Sequence, residues 1–472
     1  MSSFSGLNTA LSGLIAHKRS IDVIGQNIAN VNSPGYTRRS VLLEPSNGQQ
    51  ISSRYDTGFN WNNLGVTVAS VNRIRDAFLD VRARSEAAKS ASAGQVEGTL
   101  SGLEGVFPEP SDTALGGQLA AFWNAFADAA NNPTSLPARA AVLAQASTLV
   151  STFAKASASL TGMHADISTQ ATMTVDQVNT VSKQVADLNA QIRAANVAGM
   201  DTGDLEDKRD NLIDQLTSAV GATTRAGDYH QVDVMLGGSP LVSGSHTEKI
   251  ELAQTGPLAP PLNTLAVQNN RLQWQRDGYP VDAVGGTVGG MLQSLNDIVP
   301  RYMSSLDSVA SSVVTAVNTL HQGGQGQNAT LDVGLNFFDP AGVTASTMAI
   351  STDVAGQPSR IALGSLGSGG LDGTVGHALA AIGDSLTGPG ALYRSMIGRL
   401  GVEAGAASDR ADLQARFATE ADNERINTSG VNLDEEMTNL VMSQRAYESS
   451  ARLLTTVDSM LDTLINRTGV TR

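Results

Sequence analysis

At 472 residues the chain exceeds what a single hydrophobic core usually encloses, so several structural units are expected. Its 41% hydrophobic but only 4% aromatic content suits long helices with small-residue seams and argues against large aromatic-lined ligand pockets. A net charge of -14 gives no electrostatic basis for binding nucleic acid or anionic lipid, and the absence of cysteine excludes disulfides, thiolate metal sites and cysteine nucleophiles.

The N-terminus, MSSFSGLNTALSGLIAHKRS, lacks the basic and continuous apolar regions of a signal peptide, and no window is apolar enough to span a membrane. Any secretion would then use a route that leaves this end uncleaved. Over 3–31, Phe4, Leu7, Leu11, Leu14, Ile21 and Ile28 recur at alternating steps of three and four, with Lys18 and Gly25 between them. A coiled-coil-like helix is expected, ending at Asn30-Val-Asn-Ser-Pro-Gly-Tyr36, where Pro34 disfavours helix and Gly35 permits a turn. Residues 37–75 read as loops and short strands, with a β-branched alternation over 66–71.

Helical patterning resumes near Asp76 and runs to about Ala219, interrupted near Pro108, Pro110, Pro133 and Pro137; residues 139–198 fit one long helix or two nearly collinear ones. Residues 220–283 break into short runs separated by Gly and Pro, a small β-rich insertion. Helix is expected from Gly286 to His321, a glycine-rich turn and a weakly strand-like stretch to Leu363, and a linker over 364–373. A further helical region, 376–428, carries Leu392, Met396, Leu400, Leu413 and Phe417 on one stripe.

The last helix opens after Asn432, a suitable cap, with Glu435 completing a capping-box pattern and Asp434 to Glu436 at the positive helix end. Its expected seam is Leu433, Met437, Leu440, Gln444, Tyr447, Ala451, Leu454, Asp458, Leu461 and Ile465. Neither end buries such a stripe alone, so 3–31 and 433–466 should pair with each other or with other subunits, and fray in a lone chain.

Gly13-Leu14, Asn27-Ile-Ala-Asn30 and Asn32-Ser-Pro-Gly-Tyr36 resemble the N-terminal signature of flagellar rod, hook and hook-associated proteins, with Ser33 where threonine is usual. Ser429-Gly-Val-Asn-Leu-Asp-Glu-Glu-Met437, Ser443-Gln-Arg-Ala-Tyr447 and Met460-Leu-Asp-Thr-Leu464 resemble the C-terminus of the hook-associated family placed between hook and filament. Gly65-Val-Thr-Val, Asp76-Ala-Phe78 and 203–212 extend the similarity.

The resemblance implies a structural, non-enzymatic protein of the extracellular flagellum, exported by the flagellar type III apparatus without cleavage. Its implied partners are further copies in a helical ring, the hook protein, a second junction protein on the filament side, and an export chaperone on the segment around Leu440 to Leu461. No nucleic acid, membrane insertion or cofactor is implied. The fold class is mainly α with a smaller β-rich part. Residues 1–36 with 430–472 form a terminal coiled-coil core, and 37–219 with 284–327 and 364–429 a mainly helical domain. Residues 220–283 are the β-rich insertion and 328–363 a short, reduced outer segment.

The assembly-interface candidates are Leu7, Leu11, Leu14, Ile21, Ile28, Asn30, Pro34, Gly35, Tyr36, Leu433, Met437, Leu440, Gln444, Tyr447, Leu454 and Leu461. Tyr36 and Tyr447 serve either as packed seam aromatics or as subunit contacts. Arg38-Arg39 either meets acidic groups of a neighbour or stays solvated. His17, His164, His230, His246, His321 and His377 have no metal-ligand spacing and read as surface residues, and the glycine clusters at 285–290 and 323–326 match no phosphate loop. A hook or rod subunit is the nearest alternative; a coiled-coil adhesin or a wall hydrolase is disfavoured by the missing anchor and the missing acid-base constellation.

Overall fold

The computed structural model describes residues 3–47, 63–255, 269–282, 284–328, 331–368 and 371–463. Expectations that fall on Ile465, on Leu464 and on the middle of the β-rich insertion lie outside these residues. Helix α1 (Ser3–Ala29) leads into a two-stranded antiparallel ribbon, β1 (Arg39–Asn47) and β2 (Asn63–Arg73), so the alternation at 66–71 is part of a longer paired strand.

Four helices follow. Helix α2 (Ala77–Val106) is capped by Asp76, whose carboxylate accepts from the Phe78 and Leu79 amides. Helices α3 (Leu115–Asn131), α4 (Leu136–Val197) and α5 (Gly203–Val220) complete the run. The 62 residues of α4 form one helix, with Pro137 in its first turn, where a missing amide costs no helical hydrogen bond.

The β-rich insertion is a four-stranded antiparallel sheet of β3 (Thr223–Ala226), β4 (Val232–Leu236), β5 (Ser239–Ser243) and β6 (His246–Thr247), beside a separate pair, β7 (Ile250–Thr255) and β8 (Asn269–Trp274). Val234, Leu236, Leu241 and Val242 pack against Val178 and Val185 of α4 and Ile213 of α5. The next helix contains a π turn: α6 (Gly286–Gln293), a wide turn over Ser294–Ile298, and α7 (Val299–Gln322).

The stretch before Leu363 departs from expectation. Instead of strands it contains turns, with one two-residue pairing of β9 (Gly324–Gln325) and β10 (Gly364–Ser365), the latter inside the expected linker. It is not an outer segment either. Phe337 and Phe338 are fully buried against Phe122 and Phe126 of α3, with ring centroids 4.9 to 5.9 Å apart. Two adjacent aromatics outweigh the polar, glycine-rich neighbourhood because each buries a large apolar area. Buried polar groups hold the turn in place: Asn318 Oδ1 accepts from the Phe337 and Phe338 amides, and the Ala362 amide donates to His321 Nε2 at 2.9 Å. His164 and His321 are therefore interior residues, not surface ones, each bonded to a backbone carbonyl.

Helices α8 (Thr374–Ala381), α9 (Pro389–Ser429) and α10 (Leu433–Asp462) complete the chain, with a short 3-10 turn and loop between α8 and α9. The stripe expected along α9 splits: Met396 and Leu400 are buried, whereas Leu392, Leu413 and Phe417 are 43 to 49% exposed. Helix α9 lies against α2, and beyond Leu400 its buried positions are small, Ala404, Ala407 and Ala421, which leaves Leu413 and Phe417 outward. No described helix is long and apolar enough to cross a membrane.

Candidate functional site

Helices α1 and α10 form an antiparallel hairpin. A methyl group on Gly6 would lie 3.7 Å from Val457 Cγ2, one on Gly13 would lie 3.0 Å from Ser450 Oγ, and Asn27 Nδ2 donates to Glu436 Oε2 at 2.9 Å. Both helices advance in step between these meeting points, so the pairing keeps one register along its length. The track on α1 is Gly6, Ala10, Gly13, His17, Ser20, Ile24 and Asn27, all buried or half-buried. The track on α10 is Glu436, Leu440, Ser443, Tyr447, Ser450, Leu454, Val457 and Leu461, of which only Glu436 is fully buried.

These tracks correct the expected seams. On α1 the seam lies one residue before the expected one at every step: Leu7, Leu14, Ile21 and Ile28 are half-buried flanks, and Leu11 is 45% exposed. On α10, Leu440, Tyr447, Leu454 and Leu461 are on the seam, but its alternate positions are Glu436, Ser443, Ser450 and Val457. Leu433, Met437, Gln444 and Asp458 face solvent. Small residues of α1, Gly6, Ala10 and Gly13, let the two backbones approach closely, while Leu11, Ile15, Leu433 and Met437 are left beside the seam. Helix α1 buries more because the β1/β2 ribbon covers another of its faces, where the Val66 amide donates to Ser12 Oγ at 3.2 Å and Gly65 rests on Thr9 and Ser12.

A polar clasp fixes the base of this hairpin. Asn27 is fully buried; its amide donates to the Arg39 carbonyl and to Glu436, and its oxygen accepts from the Arg39 amide and the Tyr36 hydroxyl, all at 2.9 to 3.0 Å. Arg38 bridges Glu436 and Glu435, each at 2.8 Å, and its backbone amide donates to the Ser429 carbonyl at the α9 to α10 corner. Asn432 caps α10 as expected, but Glu435 turns outward to Arg38, so the reciprocal half of the capping box is replaced by an ion pair. Arg38 and Arg39 thus meet acids of their own chain.

The clasp continues into α5. Asp204, Asp207 and Asp210, spaced at three, line one face of the helix beside Glu206. Arg39 pairs with Asp204 and Asp207; Arg73 binds Glu206, Asp207 and Asp210, each at 2.8 Å; Arg75 reaches Asp80 and Asp210. Burial pushes the Asp210 carboxyl up, but Arg75, Arg209 and Arg73 overcome it and hold the group below the usual carboxylate range. Burial likewise works against Glu206, whose carboxyl is held low by the Thr202 hydroxyl, Arg73 and His230. Burial raises the Tyr36 hydroxyl.

The expected turn residues close this site locally. Asn30 accepts from the Ser33 hydroxyl and donates to the Gln26 carbonyl, and Pro34 is exposed. Gly35 has φ of 76°, a left-handed conformation that favours glycine, and a Cβ there would lie 2.0 Å from Asn211 Oδ1, so that side chain would have to move. Tyr36 is a half-buried donor to Asn27 with the Arg39 guanidinium 5.2 Å from its ring centre, and Tyr447 is half-buried on the α10 seam. The α5 acids and Arg73, Arg75 and Glu436 were not among the expected site residues. The three-residue acid spacing over 204–210 and the alternate arginines at the end of β2 carry that signal.

The hairpin is thus held by a buried polar clasp, with Leu11, Ile15, Leu433 and Met437 outside its seam. The model of the flagellar hook-associated protein FlgK helical domain matches residues 100–338, half of the chain. The chain belongs to the FlgK family of flagellar hook-associated proteins. At its ends, the flagella basal body rod protein model matches residues 7–37 and the flagellar basal body rod FlgEFG protein C-terminal model residues 423–467, which together cover most of α1 and all of α10.

Full-length similarity agrees with this membership. Flagellar hook-associated protein 1 of Bacillus subtilis is 29% identical over 99% of both chains, and that of Escherichia coli 25% identical over 98% of this chain and 99% of the other. The Salmonella typhimurium protein of that name is 28% identical over 70% of this chain and 59% of its own length. A solved structure, the flagellar hook junction protein FlgK from Burkholderia pseudomallei, aligns over 54% of this chain and 46% of that one, with 21% identity and a TM-score of 0.46. As a FlgK-family member this chain is a structural, hook-associated flagellar protein with a mainly α fold.

Proposed function

We propose that the chain acts as an axial subunit at the junction of hook and filament, polymerising through the outer faces of α1 and α10. The observation that carries this reading is the number of large apolar side chains left outside the hairpin seam: Leu11, Ile15, Leu433, Met437, Met442 and Met460 are 45 to 58% exposed. A two-helix hairpin covers only one side of each helix, and an uncovered apolar flank on both is suited to a second helix pair. Neighbouring copies in a helical ring supply that pair, and burying the half of each side chain still exposed would contribute about 1 to 1.5 kcal/mol.

In this reading 1–36 with 430–472 is the polymerising core, 37–219 with 284–327 and 364–429 the helical body, and 220–283 a β-rich projection. The hook protein meets one end of the ring and a second junction protein the other. The chain reaches this place through the flagellar export apparatus, uncleaved, with a chaperone covering the segment around Leu440 to Leu461 beforehand. Its activity is geometric rather than catalytic. Deletion of the gene should leave hooks without filaments, with flagellin released unassembled, in electron micrographs; normally attached filaments would refute the assignment.

A further inference from the structure

The strongest feature outside the terminal hairpin is a cleft of about 560 Å³ between α2, the end of α5, the start of α6 and α9. Its lining includes three cations, Arg84, Lys89 and Arg410, and not one carboxylate, in a chain whose net charge is -14. Lys89 pairs with Glu86, and Arg84 is tied through Nε to Asp214 at 2.6 Å, but Arg84 Nη2 is buried without a partner. Gln414 Oε1, on the same wall, is also buried and unpartnered. Between these groups the wall is apolar, formed by Val81, Ala88, Val96, Ala222 and Ala407. Such a site fits a short apolar side chain accompanied by a carboxylate and an N–H donor.

The chain carries that combination on the loop before α9. Leu386 is 90% exposed, and Asp384, two residues earlier, is exposed and forms no ion pair among the described residues. The loop is braced: the Ser385 amide donates to the Ile382 carbonyl at 3.2 Å, the Thr387 amide to Ser385 Oγ at 3.3 Å, and the Gly388 amide to the Ser385 carbonyl at 3.4 Å. A braced loop presents its leucine at low entropic cost. Arg410 lies 21 residues along α9 from its first residue, Pro389, roughly 30 Å at about 1.5 Å per residue, so loop and cleft of one copy cannot meet.

We propose that the 384–387 loop of one copy docks in this cleft of the next, a head-to-tail contact in which Leu386 enters the apolar wall and Asp384 pairs with Arg410 and Arg84 Nη2. A backbone N–H of the loop donates to Gln414. A contact between two different patches of the same chain repeats from copy to copy and builds a helix wherever its rotation does not close a ring, as an axial subunit requires. This inference rests on the axial-subunit reading above.

Because the chain has no cysteine, Leu386→Cys combined with Ser92→Cys, where Ser92 lines the cleft from α2, tests the contact directly in flagella isolated from cells making only the variant. Oxidation should link copies into a ladder in the double variant and not in either single one. Asp384→Arg or Arg410→Glu should each lower the chain incorporated per flagellum at least tenfold, and combining them should restore it. No ladder, wild-type incorporation of the charge variants, or no rescue by their combination would overturn the contact. Absence of the wild-type chain from flagella would instead overturn the axial reading, and the contact with it.

Discussion

Asn27→Ala removes the residue on which the polar clasp converges. Its side chain makes four hydrogen bonds, to the Arg39 carbonyl and amide, to Glu436 and to the Tyr36 hydroxyl. Glu436 keeps Arg38, and the half-buried Tyr36 hydroxyl can turn to water, but both Arg39 backbone groups lose their partner where Arg39 is 5% exposed. Each buried polar group left unsatisfied costs about 1 to 3 kcal/mol, so the clasp should lose about 2 to 6 kcal/mol. The loss is local, because α3, α4 and α7 pack around a separate aromatic core. Amide exchange on the monomer should therefore quicken in α1, in β1 and at the start of α10, by roughly 30-fold or more from the same free energy, while α4 keeps its protection. Unchanged exchange in the hairpin, or an equal loss throughout α4, would refute the assignment of Asn27 as a local anchor.

Gly13→Leu should separate the hairpin, since even a methyl there would sit 3.0 Å from Ser450 Oγ; a drop in thermal stability no larger than for Gly25→Leu, which has open space around it, would count against a close seam. Stability should also depend on His321. Burial lowers its imidazole to about 4, so the folded ring stays neutral where the unfolded one, near 6.5, takes up a proton. Its contribution is complete above about pH 6.5 and is lost as pH falls toward 4, by a few kcal/mol at most. Urea titrations between pH 7 and 4 should show this slope flattened in His321→Gln; an identical slope would exclude the histidine as its source. Glu206 and Asp210, held low, add a loss that begins nearer pH 4 and continues below it.

Much of the architecture was legible in the residues. Helix starts at Asp76 and Asn432 follow from side chains that cap amide groups, and the β-rich insertion follows from short alternating runs. The hairpin was legible as a period but not as a frame. Reading the largest apolar residues as the seam places it one step too far along α1, because close helix approach selects Gly6, Ala10 and Gly13 instead. Tracking small residues at the same three-and-four spacing would have found it. The clasp was hidden for a different reason: Arg39, Arg73 and Asp207 come from distant parts of the chain, and each alone looks like an ordinary surface charge. Phe337-Phe338 likewise declares burial but not the helix that provides it.

Both ends are helical, from Ser3 to Ala29 and from Leu433 to Asp462, and are joined by a shared seam and a buried anchor at its base. What the hairpin leaves uncovered is a set of apolar side chains on the outer faces of both helices, and the central claim concerns those faces. Leu11→Glu with Met437→Glu places two charges on side chains that are 45 and 50% exposed and touches neither the seam nor the clasp. The decisive measurement is the amount of this variant in isolated flagella, set beside the thermal stability of its monomer. Wild-type monomer stability with incorporation reduced at least tenfold is the predicted result; incorporation at the wild-type level would contradict polymerisation through these faces.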